Sequence, residues 1–182
     1  MDSEITLLNA NRVALRLLEP DDASAMTTMM QNWNVLRMLS SPPHPYRLAD
    51  AEEFIASRRE QGNTPEDCTF AVVVDSALAG VISIEPNTKD QPELGYWLGE
   101  GFWGKGLMSE AVELMVDRFF ETSQAGALYC AAFIENPASI RIQEKVGFTQ
   151  LGETEIFSKS RDCKIKSVAT RLTRDEFERQ KQ

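Results

Sequence analysis

The sequence predicts a single domain of the α/β (α+β) class over residues 1–182, with a mixed central sheet of about seven strands flanked by helices; three observations carry this. A chain of 182 residues buries one sizeable core, whereas two cores of half that length would each be marginal. Runs rich in β-branched residues recur along it, separated by stretches with helical spacing. Between Glu93 and Val146, strand, helix, strand and helix follow one another, and such a unit forces two neighbouring parallel strands with a crossover helix.

Taken in order, Val13, Leu15 and Leu17 alternate with Ala14, Arg16 and Leu18, the pattern of a first strand. Pro20, Asp21 and Asp22 supply a favourable first helical turn, which predicts a helix running to about Trp33. Three prolines within residues 40–46 remove backbone donors and make that stretch a loop, and a second helix follows over 48–61. Residues 70–74 and 81–84 read as an antiparallel hairpin, and 93–98 as a further strand. Leu107, Ala111, Leu114, Met115, Arg118 and Phe119 fall at helical spacing, so 106–120 should be a helix burying one face. Residues 128–134 return as a strand, and 137–146 as a helix closed by Gly147, which tolerates the left-handed conformation of a helix end. Strands over 148–157 and 167–172 complete the sheet, and 173–176 spells a capping box for a short last helix.

A formal net charge of −9 argues against broad phosphate-backbone binding, so no nucleic-acid partner is expected. Met1, Asp2, Ser3 and Glu4 carry no basic lead, and no apolar run is long enough to span a bilayer, which predicts a cytoplasmic protein without a membrane partner. Cys68, Cys130 and Cys163 lack paired spacing, and His44 is the only histidine, so no metal site is expected. Nothing in the sequence separates a monomer from a homodimer.

The most informative stretch is 99–106, where three phosphate-binding patterns overlap. Gly99, Gly101 and Gly104 match the dinucleotide fingerprint in spacing, yet they end before the helix begins, and the acidic ribose anchor expected about twenty residues on has no convincing candidate at the end of the next strand. Gly99, Gly104 and Lys105 resemble a nucleoside-triphosphate loop, but Gly106 occupies the position of the magnesium-binding hydroxyl. The third pattern is Gly104, Lys105, Gly106, Leu107 and Met108 followed directly by a helix, in a segment that runs from Trp103 through Ser109. Here the backbone passes close to a pyrophosphate while free amides of the first turn point at its oxygens.

A second segment, from Asn136, Pro137, Ala138 and Ser139 to Lys145, Val146, Gly147 and Phe148, completes the pattern. Together the two segments resemble the signatures of the GCN5-related N-acetyltransferase (GNAT) superfamily, in the branch containing the ribosomal-protein N-terminal acetyltransferases RimJ and RimL. The resemblance covers nearly the whole chain. It implies a GNAT-type sheet splayed between its fourth and fifth strands, with acetyl-coenzyme A as co-substrate lying in the gap. By the same comparison Tyr96, Trp97 and Leu98 bond the pantetheine through backbone groups, the amides from Gly104 to Ser109 take the pyrophosphate, and Asn136 contacts the pantetheine arm. Arg141 or Lys145 reaches a coenzyme phosphate. Asn136 is equally an ideal N-cap before Pro137, and Arg141 and Lys145 equally solvated surface charges. Two departures bear on the chemistry: Gln143 stands where many relatives place a tyrosine acid, and Ala131 where some place a glutamate base.

The implied reaction moves an acetyl group onto a primary amine. An α-amine of pKa ~8 is about a tenth neutral at pH 7, whereas a lysine of pKa ~10.4 is neutral about once in 2,500, so the α-amine needs less help. Ser139 is the candidate to hydrogen-bond the departing thiolate, and Glu93 the candidate to accept the amine proton directly or through water; a helix-start serine and an exposed strand end are their structural readings. A protein N-terminus is the favoured acceptor by resemblance. Small amines such as polyamines, amino sugars or antibiotics are the alternative, together with a non-catalytic acyl-coenzyme A-binding module.

Overall fold

The computed structural model describes residues 8–181, so the reading of Met1 to Glu4 falls outside the described residues. The strands are β1 (Leu8–Asn9), β2 (Ala14–Leu17), β3 (Cys68–Val74), β4 (Ala77–Pro86), β5 (Pro92–Leu98), β6 (Ala127–Phe133), β7 (Thr149–Ser158) and β8 (Cys163–Thr173), in one sheet of order β1-β2-β3-β4-β5-β6-β8-β7. The helices are α1 (Asp22–Met30), α2 (Trp33–Leu36), α3 (Leu48–Gln61), α4 (Leu107–Thr122), α5 (Pro137–Val146) and α6 (Arg174–Gln180). The eighth strand beyond the expected seven is β1, whose two residues pair with Leu15 and Ala14; two residues offer no periodicity to read. The first helix also ends earlier than expected. Asn32 turns extended (φ −75°, ψ 114°) and its side chain accepts from the Asn34 amide, so Trp33 opens a separate short helix.

The hairpin of β3 and β4 turns at Asp75 and Ser76, both with positive φ, the backbone hand that matches the twist of paired strands. Along β5 the residues alternate between two cores. Leu94 and Leu98 join Leu128 and Cys130 of β6 under the apolar face of α4, formed by Leu107, Ala111, Val112, Met115 and Phe119. Trp97 packs instead with the other layer, where Met26, Met30, Leu36 and Ile55 cover Ala71 and Val81. The helices therefore lie on both faces, with α4 on one and α1 to α3 on the other.

Every pairing in the sheet is antiparallel except that of β5 with β6, which holds at two positions only, Glu93 with Tyr129 and Leu94 with Cys130. Both strands run on past those pairs, to Leu98 and Phe133. No helix among the described residues is long and apolar enough to cross a membrane.

Candidate active site

Beyond Leu94 and Cys130 the two parallel strands part, and a cavity of about 1300 Å³ opens through the gap. On the α4 side it is bordered by Gly104, Gly106 to Ser109, and the start of α5 from Asn136 to Ser139. On the α1 to α3 side it reaches Met38, Leu39 and Ser40, with Thr154 and Ile156 of β7. The gap thus joins two compartments on opposite faces of the sheet, an arrangement in which two substrates can meet end to end.

The first compartment ends in an anion cradle. Gly106 precedes α4 in the left-handed region (φ 75°) and offers no side-chain cap, and Gly104 is left-handed as well (φ 72°). The Glu110 amide is the first to return to a helix carbonyl, that of Gly106, so the amides of Leu107, Met108 and Ser109 have no acceptor within the helix. They carry the positive end of the helix dipole toward the cavity wall they form. The loop is held from outside by Arg12, which donates to the Lys105 carbonyl at 2.7 Å and through Nε to the Glu110 carboxylate at 2.7 Å, while the Arg12 amide reaches the same carboxylate at 3.2 Å. The Arg12 side-chain hydrogen bond holds the Glu110 carboxyl below the usual glutamate range.

On the facing wall, Tyr96 of β5 sends its hydroxyl to Ser139 at the start of α5. The two hydroxyl oxygens are 2.8 Å apart, and the Ser139 carbonyl, 3.2 Å from Tyr96 Oη, is a second acceptor for the one phenolic proton. Burial pushes the Tyr96 phenol well above its usual pKa, so it keeps its proton at any ordinary pH. Behind them lies Gln143, fully buried, whose Nε2 donates to Ser139 Oγ at 3.2 Å and to Tyr96 Oη at 3.4 Å. On the opposite sheet face, half-buried Glu93 borders the cavity and accepts the Asn87 side-chain amide at 3.1 Å.

The residues 12–149 match the family described as acetyltransferase (GNAT) domain. The chain belongs to the GNAT acetyltransferase family. As a GNAT protein it is an N-acetyltransferase with acetyl-coenzyme A as co-substrate. YdaF of Bacillus subtilis (strain 168), named as a ribosomal N-acetyltransferase, is 27% identical over 150 residues, covering 78% of this chain and 80% of its own. The spermidine N(1)-acetyltransferase of Escherichia coli (strain K12) is 26% identical over 147 residues, covering 80% of this chain and 77% of its own. Among solved structures, the ribosomal L7/L12 α-N-protein acetyltransferase RimL in complex with coenzyme A superposes with a TM-score of 0.77 at 16% identity, covering 92% of this chain and 97% of that one, and shares the fold.

Within this GNAT frame the residues singled out from sequence lie around one cleft, with differences of detail. Tyr96, Trp97, Leu98, Trp103, Gly104, Gly106, Leu107, Met108, Ser109, Asn136, Ser139, Arg141, Lys145 and Glu93 all border the cavity. The Leu98 carbonyl is already bonded by the Trp103 indole at 2.8 Å. Lys105 does not line the cavity; its ammonium turns back to the Gly101 carbonyl at 2.9 Å. Asn136 is the N-cap of α5, its Oδ1 accepting the Ser139 amide at 3.3 Å, which relieves Ser139 of any capping duty. The Lys145 ammonium pairs with Glu113 at 2.9 Å. Gly99 of the dinucleotide-like spacing serves packing instead, because a Cβ there would meet the Met29 sulfur at 2.5 Å. Arg12, Asn87 and Thr170 escaped the sequence reading, and Glu110, which follows Ser109 in the first signature segment, carried no role there. Each is an ordinary polar residue whose partner is distant in sequence or, for Asn87, lies across a turn, so no local pattern announces the pairing.

Proposed function

We propose that the chain transfers the acetyl group of acetyl-coenzyme A to a protein N-terminal α-amine by direct attack on the thioester. The observation that carries this reading is the gap between β5 and β6, with the unpaired amides of α4 at one end and the carboxylate of Glu93 on the opposite sheet face. The amides from residues 104 to 109 would take the pyrophosphate, and the pantetheine would lie along Tyr96 to Leu98. Such a placement brings the thioester to the opening, where an amine arrives from the Met38 and Thr154 side.

As the C–N bond forms and the C–S bond breaks, two protons need management. Glu93, steadied by Asn87, accepts the amine proton directly or through one water. The departing sulfur, whose thiol pKa lies near the cysteine reference of about 8.5, needs only a hydrogen bond, and Ser139 gives it. The supporting feature is that Glu93 and Ser139 flank the same cavity from opposite faces. Similarity to the spermidine N(1)-acetyltransferase favours a second reading, acetylation of a small polyamine. A thiol-release screen with acetyl-coenzyme A decides, using peptides of varied first residue beside spermidine and other small amines. Turnover of peptides with kcat/KM set by the first residue is expected. Turnover of spermidine alone would transfer the assignment to small amines, and coenzyme binding without thiol release on the whole panel would leave only an acyl-coenzyme A-binding module.

A further inference from the structure

Gln143 is completely shielded from solvent and lies one helical turn beyond Ser139 on α5. A buried amide needs partners at both ends, and each end has them. Its Oε1 lies 2.8 Å from the Thr170 hydroxyl of β8, while its Nε2 faces Ser139 Oγ and Tyr96 Oη. Thr170 has one proton and a second acceptor within reach, the Cys130 carbonyl at 3.2 Å; the shorter contact takes the proton. With Oε1 on Thr170, Nε2 is the end of the amide that faces Ser139. An amide nitrogen offers protons and no lone pair, so it meets the Ser139 oxygen as a donor. Tyr96 also has one proton and two acceptors on Ser139, the hydroxyl at 2.8 Å and the carbonyl at 3.2 Å; by the same rule the shorter contact takes it, which gives Oγ a second donor. With both lone pairs of Oγ occupied, the Ser139 proton has the cavity as its remaining direction.

We propose that Gln143, locked by Thr170, is a positioning residue that aims the Ser139 hydroxyl proton at the sulfur leaving coenzyme A. This rests on the reading of Ser139 as the hydrogen-bond donor to that sulfur. Were the amide reversed, its oxygen would accept from Ser139 and draw the proton inward, and the sulfur would lose its donor. Thr170, on the far side of Gln143 from Ser139, therefore sets the polarity of the whole relay.

The test needs no acceptor amine. The thiol of bound coenzyme A is titrated by the ultraviolet absorbance of its thiolate, as the difference between complexes with coenzyme A and desulfo-coenzyme A, so that tyrosine and cysteine cancel. A donor aimed at the thiolate lowers the midpoint, so the wild-type complex is expected roughly one pH unit below Ser139→Ala. Gln143→Met keeps the chain length without an amide and is expected to titrate with Ser139→Ala, at unchanged affinity for coenzyme A. Thr170→Val is expected between the two, and Thr170→Ser, which restores the hydroxyl, at the wild-type position; loss of packing alone would not be repaired this way. An unshifted Ser139→Ala sinks the Ser139 reading on which the inference depends. A shifted Ser139→Ala beside an unshifted Gln143→Met overturns the role of Gln143 alone, and if Gln143→Met does not fold, an unshifted Thr170→Val does the same.

Discussion

At the start of α4 the cleft presents backbone amides set by two left-handed glycines and clamped from outside by Arg12 and Glu110, whereas the facing wall presents side chains, Tyr96, Ser139 and Gln143, braced from within by Thr170. The first wall can hold any anion of the right size, because amides carry the field and no one side chain is essential. The second depends on the orientation of each hydroxyl and amide proton. Substitutions should therefore separate them: the backbone wall governs how tightly the coenzyme is held, and the side-chain wall governs how fast the thioester breaks.

The largest expected effect falls on the side-chain wall. Ser139→Ala removes one donor from the developing thiolate, and loss of such a donor costs on the order of 10²-fold in kcat. The KM for acetyl-coenzyme A is expected to stay within about twofold, since the donor acts mainly as charge develops on sulfur. Steady-state kinetics on whichever acceptor the screen identifies measures both, and a loss confined to KM would erase the division between the walls. Gly106→Val probes the other side. A side chain at φ 75° costs about 1–2 kcal/mol, and a Cβ there would stand 3.3 Å from Arg12 Nη2, so the loop must move and take its amides with it. Calorimetric titration should find acetyl-coenzyme A bound about tenfold more weakly. Gly101→Ala is the control, because nothing lies within 4 Å of a Cβ at that position; unchanged affinity is expected.

How much of each wall could be read from sequence follows from how each is built. The cradle is local: Gly104, Gly106 and the first turn of α4 are consecutive, so chain order alone announces them. The same holds for Asn136 and Pro137 opening α5 and Gly147 closing it. The relay is not local. Tyr96 meets Ser139 across 43 positions and Gln143 meets Thr170 across 27, and these contacts exist only once β5, β6 and β8 have been ordered in the sheet. Gln143 was visible in sequence only as a departure from expectation, without the threonine that gives it a direction. The length of the parallel pairing was equally hidden, since two strands with suitable patterns do not say that only two pairs will hold.

The smallest expected effect tests whether the outer clamp belongs functionally to the backbone wall. Arg12 is exposed and Glu110 only partly buried, so their pair is open to screening, and Arg12→Gln should weaken acetyl-coenzyme A binding only about two- to threefold near neutral pH. Its pH dependence is more telling. The Glu110 carboxyl is held below its usual range by Arg12, so the clamp is intact above the ordinary glutamate pKa of about 4.3 and is lost as pH falls through the lowered value. Wild-type affinity should hold on acidification until below that ordinary value, and in Arg12→Gln the Glu110 contribution should fade at higher pH, because its carboxyl then loses the side-chain hydrogen bond that lowers it most. Affinity measured down that range, at each pH where the fold persists by circular dichroism, gives the answer. Coincident profiles for wild type and Arg12→Gln would mean that the glycines alone set the cradle, and that the clamp serves only to tie the turn between β1 and β2 to the body of the protein.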